Sequence, residues 1–189
     1  MDLIVIAGIV FGLIVVVLVL AFVVPSLDLM SYTATGIETL ASAGTSVGRA
    51  LVVYSPGLSG AAKEAATKIA SDLAAKGYTV DLAGVRSANA SKSAVYDVVI
   101  AGGPMYFAKV SSSIADYLKT LSLREDERLG VFATTGANQY VESDFKSLTD
   151  QVTSLTSGAS FHGKIAAKLI LTGSETDNNC ADLVSAVLQ

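Results

Sequence analysis

The chain has 189 residues, a formal net charge of −4, one cysteine and no tryptophan, with 51% hydrophobic against 16% charged residues. A lone Cys180 excludes an intramolecular disulfide, a CxxC redox motif and any zinc site built on two or more cysteines. All 13 Lys and Arg residues fall from Arg49 onward, where acidic residues balance them and no basic run occurs, so no nucleic-acid partner is expected.

The apolar excess sits at the start of the chain. Leu3 to Val24 is an unbroken run of 22 apolar residues, which as a helix reaches roughly 33 Å, enough for a hydrocarbon core of about 30 Å. The pattern predicts one transmembrane helix over 3–24. It is read as retained, because Asp2 stands where a signal peptide carries basic residues and the run exceeds an h-region of about 7–15 residues. Gly8 and Gly12 form a GxxxG, a spacing that allows a homodimer through helix pairing. No Lys or Arg flanks the span, so charge gives no orientation. From Pro25 to Gly48 the composition turns to Ser, Thr, Ala and Gly, with Asp28 and Glu38 the only charges. Residues 25–48 are therefore expected to be a flexible linker, with a short helix around Ile37 to Ala41.

Residues 49–189 repeat one theme of apolar run, small-residue loop and helical periodicity. Ala50 to Ser55 reads as a buried strand, and Ala62, Ala66, Ile69 and Leu73 share a helical face that Gly77 terminates. Tyr78, Val80 and Leu82 alternate as a second strand, and Asp97 to Ala101 is a third, followed by a loop over Gly102 to Val110. Ser111 to Ser113 offer an N-cap for a helix carrying Ile114, Tyr117, Leu118 and Leu121. Leu129 to Thr134 is strand four, Phe145, Leu148, Val152 and Leu155 mark a helix, Lys164 to Thr172 is strand five, and Cys180 to Val187 lie on the last helix. Five strands with interleaved helices predict an α/β, doubly wound, five-stranded parallel sheet preceded by the transmembrane helix. In such a sheet ligands bind beyond the carboxyl ends of the strands, so the loops after strands one, three and four are the candidates.

Those loops carry a family resemblance. Tyr54-Ser-Pro-Gly-Leu-Ser-Gly-Ala-Ala-Lys63 resembles the hydroxyl- and glycine-rich FMN phosphate loop of flavodoxins. Tyr96-Asp-Val-Val-Ile-Ala-Gly-Gly-Pro-Met-Tyr-Phe107 resembles that family's third strand and G-x-P-x-Y segment, and Phe132-Ala-Thr-Thr-Gly136 resembles its fourth strand with the flavin-facing loop. The similarity runs in order and spacing from Arg49 to Gln189 and implies strand order 2-1-3-4-5, an FMN cofactor and electron transfer. The residues it nominates for FMN are Ser55, Gly57, Leu58, Ser59 and Gly60 at the phosphate, and Pro104, Met105, Tyr106 and Phe107 after strand three. Thr135, Gly136 and Asn138 follow at the ring edge.

The physical logic stands beside the resemblance. A loop entering a helix presents unpaired N–H groups and the positive end of the helix dipole, and Gly57 and Gly60 permit close approach of an anion. Ser55 and Ser59 add hydroxyls, while Leu58 and Ala61 bring no side-chain donor and Pro56 removes an N–H, which thins the donor set. A plain β-to-α turn without ligand is the competing reading of that loop. Either Tyr106 or Phe107 suits stacking on an aromatic ring, with placement in the core as the alternative.

Other motifs fail. Gly57 to Lys63 is no Walker A loop, because no glycine precedes the lysine and no Thr or Ser follows it, and no GxSxG is present. His162 is the only histidine, and Arg124-Glu-Asp-Glu-Arg128 reads as a solvated turn. No residue stands out as a catalytic acid or base, and none as a metal ligand. The expectation is thus a single-pass membrane protein whose flavodoxin-like domain binds FMN and exchanges electrons with a redox protein or quinone at the lipid bilayer, as a carrier more than as a reductase. The domain is expected in the cytoplasm, where FMN and reduced donors are available and a free thiol persists. The alternative is a flavin-less domain serving as a membrane-tethered binding or assembly module.

Overall fold

The computed structural model describes residues 9–20, 34–137, 139–157, 165–173 and 175–189, and the chain divides into two units, Met1–Tyr32 and Thr33–Gln189. In the first, residues 9–20 form helix α1, whose residues are all apolar or glycine and all exposed. Among the described residues no helix is long and apolar enough to cross a membrane. The helix α1 accounts for about 18 Å, and the remaining ends of the expected 3–24 span lie outside the described residues. So does Gly8, and nothing lies within 4 Å of the position a Cβ on Gly12 would take.

The second unit runs β1 (Ile37–Leu40), β2 (Gly48–Tyr54), α2 (Ala61–Ala75), β3 (Tyr78–Gly84), a 3₁₀ turn (Ala90–Val95), β4 (Val98–Tyr106), β5 (Lys109–Val110) and α3 (Ser112–Thr120). It continues with β6 (Arg128–Thr135), α4 (Glu142–Thr156), β7 (Ile165–Leu171) and α5 (Thr176–Leu188). The sheet order is β1-β3-β2-β4-β6-β7, with β5 paired to β4. The five strands expected from sequence are all parallel and lie in the order 2-1-3-4-5. The sheet nevertheless has seven strands rather than five.

One extra strand corrects the linker. Within the 25–48 stretch, expected to be flexible with a short helix around Ile37 to Ala41, Ile37–Leu40 is instead a strand that pairs antiparallel with β3, Ile37 opposite Ala83 and Leu40 opposite Val80. Without it the backbone of β3 would be a bare sheet edge, and a segment carrying the β-branched Ile37 and Thr39 can cover it. Composition alone hides a four-residue strand of this kind.

Alternation along each strand divides the core between two faces. Ala50, Val52, Val98 and Ile100 face α2 and α5, and Leu51, Val53, Val99 and Ala101 face α3 and α4. The inner face of α2 is built from Ala62, Ala65, Ala66, Ala70 and Ala74 around Ile69 and Leu73, small side chains that bring the helix close to the sheet. Between β3 and β4 the chain makes only the 3₁₀ turn, so that crossover carries no α-helix.

Asp81, in the middle of β3, is buried and fully engaged. It accepts hydrogen bonds from Thr39 Oγ1 at 2.6 Å, Tyr96 OH at 2.6 Å and Arg49 Nη2 at 3.1 Å, and the Arg49 guanidinium stacks over the Tyr96 ring. Burial alone raises a carboxyl, but the Thr39 and Tyr96 hydroxyls and then Arg49 outweigh it and hold Asp81 below the usual range. The Arg124–Arg128 cluster also differs from expectation. Glu127 is buried with its carboxylate accepting the Arg124 N–H, and desolvation pushes that carboxyl up.

Asp81→Ala strips Thr39, Tyr96 and Arg49 of a shared acceptor and is expected to cost about 2–3 kcal/mol in urea unfolding. The alkaline behaviour has a defined sign. Burial, then the Asp81 hydrogen bond, push Tyr96 up to about 12, so its contribution is complete below about pH 10 and lost as pH rises through its folded value. Tyr96→Phe is expected to make the fall in stability over that window shallower, with urea midpoints at several alkaline pH values as the measurement.

Candidate functional site

Three connections leave the carboxyl edge of β2, β4 and β6, at the centre of the sheet where a doubly wound fold opens a crevice. Their register is level: Tyr54 pairs with Gly102, and Gly102 with Phe132. The end of β4 differs from the expected loop over Gly102 to Val110. β4 continues to Tyr106, so Pro104, Met105 and Tyr106 lie in the strand, and β5 returns beside it with Met105 opposite Val110 and Tyr106 opposite Lys109. Phe107 and Ala108 close this hairpin with φ of 50° and 57°. Such two-residue turns usually carry Asn-Gly or Asp-Gly, and Phe-Ala gives no sequence signal for one.

The first connection, Ser55 to Gly60, is folded down onto β4. Gly57 has φ of 65°, and a Cβ there would stand 2.8 Å from Pro104 Cγ and 3.1 Å from Tyr106 OH. Leu58 N–H donates to Tyr106 OH at 3.3 Å, and Ala61 N–H to Ser59 Oγ at 3.3 Å. Gly60 takes the left-handed N-cap position, and its carbonyl accepts the first helical bonds from Lys63 and Glu64. Among the described residues no acceptor pairs with the N–H groups of Gly57, Ser59, Gly60 or Ala62. They cluster at the α2 N-terminus, where the dipole favours an anion. Glu64 in the first turn opposes that preference, and the exposed Lys63 favours it.

Ser55 plays a different part from the one expected. It is buried, and its hydroxyl accepts from Ser113 Oγ at 2.9 Å, so it ties the first connection to α3 rather than facing solvent. Ser111 is the α3 N-cap residue as the three serines suggest, but it makes no side-chain capping bond. Sequence reasoning did not assign Ser113 this bridging role, because nothing in a serine run says which hydroxyl turns inward.

Thr135 ends β6, and Gly136 and Ala137 follow it. The Ala137 N–H donates to Thr135 Oγ1 at 3.2 Å, and Gly136 has open space around its α-carbon. Asn138 lies outside the described residues, as does His162. Sequence reasoning missed Tyr140, which is half exposed on this same connection with its ring tilted against Phe145 at 5.8 Å. The available signal was an aromatic residue close behind the end of the fourth parallel strand.

Phe107 is 87% exposed, which settles the choice between core and surface for that residue; Tyr106 is half-buried over Gly57. A positive φ at an aromatic residue is strained and persists only when its surroundings hold it. Helix α4 does so. Ala108 O accepts from Ser147 Oγ at 2.7 Å and from Gln151 Nε2 at 2.8 Å, while Gln151 Oε1 accepts the Val110 N–H at 3.1 Å. Gln151→Ala removes two of these bonds, and is expected to lower stability by about 1 kcal/mol and to speed hydrogen exchange at the Val110 amide far more than at β2 amides.

The chain resembles known structures in its fold. It superposes on a flavodoxin from Streptococcus pneumonia TIGR4 with a TM-score of 0.54 at 18% identity, covering 74% of this chain and 97% of that one. Oxidised flavodoxin 2 from Bacillus cereus gives 0.53 at 18% identity over 74% and 97%. The apo form of an NADH:FMN oxidoreductase gives 0.54 at 12% identity over 74% and 88%. No family model and no curated protein matches the sequence. The domain therefore has a flavodoxin-like α/β fold.

Proposed function

We propose that the Thr33–Gln189 unit binds FMN at the carboxyl edge of the sheet and acts as an electron carrier. The observation that carries this reading is the set of unpaired N–H groups at Gly57, Ser59, Gly60 and Ala62, at a helix N-terminus where nothing lies within 4 Å of the place a Cβ on Gly60 would take. They suit the FMN phosphate. Phe107 and Tyr140 stand exposed on the other two connections and suit the two faces of the ring, with Thr135 and Gly136 near its edge. Bound FMN supplies the electron-carrying chemistry, and the protein's part is to orient the ring and set its surroundings. The flavodoxin-like neighbours lend the reading support through their fold.

The same proposal includes the start of the chain. An all-apolar helix with every described side chain exposed calls for an apolar medium, and we read residues 3–24 as embedded in a bilayer, with the domain on the cytoplasmic side and a membrane-associated redox protein or quinone as partner. Protease added outside sealed cells is expected to leave Arg49–Gln189 intact.

Titration of the full chain in detergent with FMN, followed by quenching of flavin fluorescence, is expected to saturate. Gly57→Asp, which sets a like charge beside these donors and drives a side chain against Pro104, should weaken it at least tenfold, or about 1.4 kcal/mol. Absence of saturable binding would favour the flavin-less assembly module, a reading that Pro56 and the Leu58 N–H already bonded to Tyr106 speak for.

A further inference from the structure

We propose that Gln151 of α4 is a positioning residue of the candidate cofactor site, acting through the Phe107 turn to hold that side chain where a flavin ring stacks, an inference that rests on the FMN reading.

Phe107 is not placed by contacts of its own side chain. It is 87% exposed, so little of the protein touches the ring, and its direction follows from the backbone beneath it. That backbone is unfavourable at both turn residues. Phe107 and Ala108 have φ of 50° and 57°, in the left-handed region that aromatic and alanine side chains seldom enter. Two ladder pairs, Met105 with Val110 and Tyr106 with Lys109, are all that β5 adds to the hairpin, and at its base the Ser111 N–H donates to Pro104 O at 3.0 Å. A turn of this composition on so short a ladder has other conformations open to it, and a contact from outside the hairpin must select this one.

Gln151 does so with both ends of its amide. Oε1 accepts the Val110 N–H at 3.1 Å and Nε2 donates to Ala108 O at 2.8 Å, so one side chain spans the turn and the returning strand. An amide offers an acceptor and a donor in one uncharged group, whereas a carboxylate here would face the Ala108 carbonyl without a proton to give it. Nε2 also donates to Ser147 O at 3.0 Å, which ties the amide to its own helix, and Ser147 Oγ adds its bond to Ala108 O at 2.7 Å. Ser147 and Gln151, four residues apart, share a face of α4.

The same helix steadies the second exposed aromatic residue. Phe145, two residues before Ser147, lies tilted against the Tyr140 ring at 5.8 Å. Phe107 and Tyr140 come from different connections, yet both are fixed against α4, which sets one relative to the other before a ligand arrives. Such pre-organisation removes an ordering cost from binding.

The test is a double-mutant cycle on the full chain in detergent, titrated with FMN by fluorescence quenching and with inorganic phosphate by the Gly60 amide shift. Gln151→Ala should loosen FMN about threefold to tenfold, the range of one aromatic contact, and leave phosphate affinity unchanged. Ser147→Ala, which removes a single bond, should act in the same direction and less. In a Phe107→Ala background Gln151→Ala should have no further effect on FMN, because the residue it acts through is gone. If the wild-type chain saturates with FMN, three results overturn the positioning role and leave the FMN reading standing: equal loosening with and without Phe107, loosening of phosphate as large as that of FMN, or no loosening at all. A wild-type chain that does not saturate overturns the FMN reading and the positioning role with it.

Discussion

The arrangement of the site depends on how little room surrounds the end of β4. A Cβ on Gly102 would lie 2.3 Å from the Phe132 ring, and one on Gly103 would lie 2.9 Å from both Ile114 and Ser111 Oγ and 3.1 Å from Ser55 Cβ. One residue on, Pro104 fills the space under Gly57. Three neighbours thus close on one short stretch of backbone: β6 through Phe132, α3 through Ile114 and Ser111, and the first connection through Ser55 and Gly57. Close packing of this kind transmits any added atom to all of them.

That contact explains features that look unrelated along the chain. Because Ser55 is drawn inward to Ser113, the connection after β2 leaves the sheet low and turns over Pro104, and this requires the left-handed backbone at Gly57. Because Tyr106 stays in the strand, its hydroxyl meets the Leu58 N–H and occupies a donor that would otherwise face solvent. The donors left over are backbone groups at the start of α2, where Lys63 favours an anion and Glu64 opposes it. Beyond Pro104 the strand has no partner except β5, so the hairpin must be braced from outside, and Gln151 meets that need with both ends of one amide.

Most of the domain was legible in the sequence because its signals are local. DVVIA, the alternation of Tyr78, Val80 and Leu82, and the Ala62–Leu73 helical face each report their own burial, and the order 2-1-3-4-5 came from the flavodoxin resemblance of the loops. The illegible parts depend on partners far away in sequence. Strand β1 exists because β3 offers an edge and Asp81 offers Thr39 an acceptor. The hairpin at Phe107 exists because α4 braces it, and Phe-Ala says nothing of that. Glu127 looks like one charge of a solvated turn until Arg124 folds over it. At the site, Gly57, Ser59 and Gly60 lie on the connection that enters α2. Ser55 became a structural bridge, Met105 and Tyr106 moved into the strand, and Tyr140 entered from a connection where only Thr135 to Asn138 had been considered.

The central claim is that backbone donors at the start of α2 receive the phosphate of a flavin nucleotide. Amide chemical shifts of the isotopically labelled chain, followed as FMN is added, test it at the atoms concerned. The account predicts saturating downfield shifts at Gly57, Ser59, Gly60 and Ala62 that inorganic phosphate reproduces at higher concentration, with ring-current shifts at Phe107 and Tyr140 for FMN alone. Saturation with those four amides unmoved would contradict it.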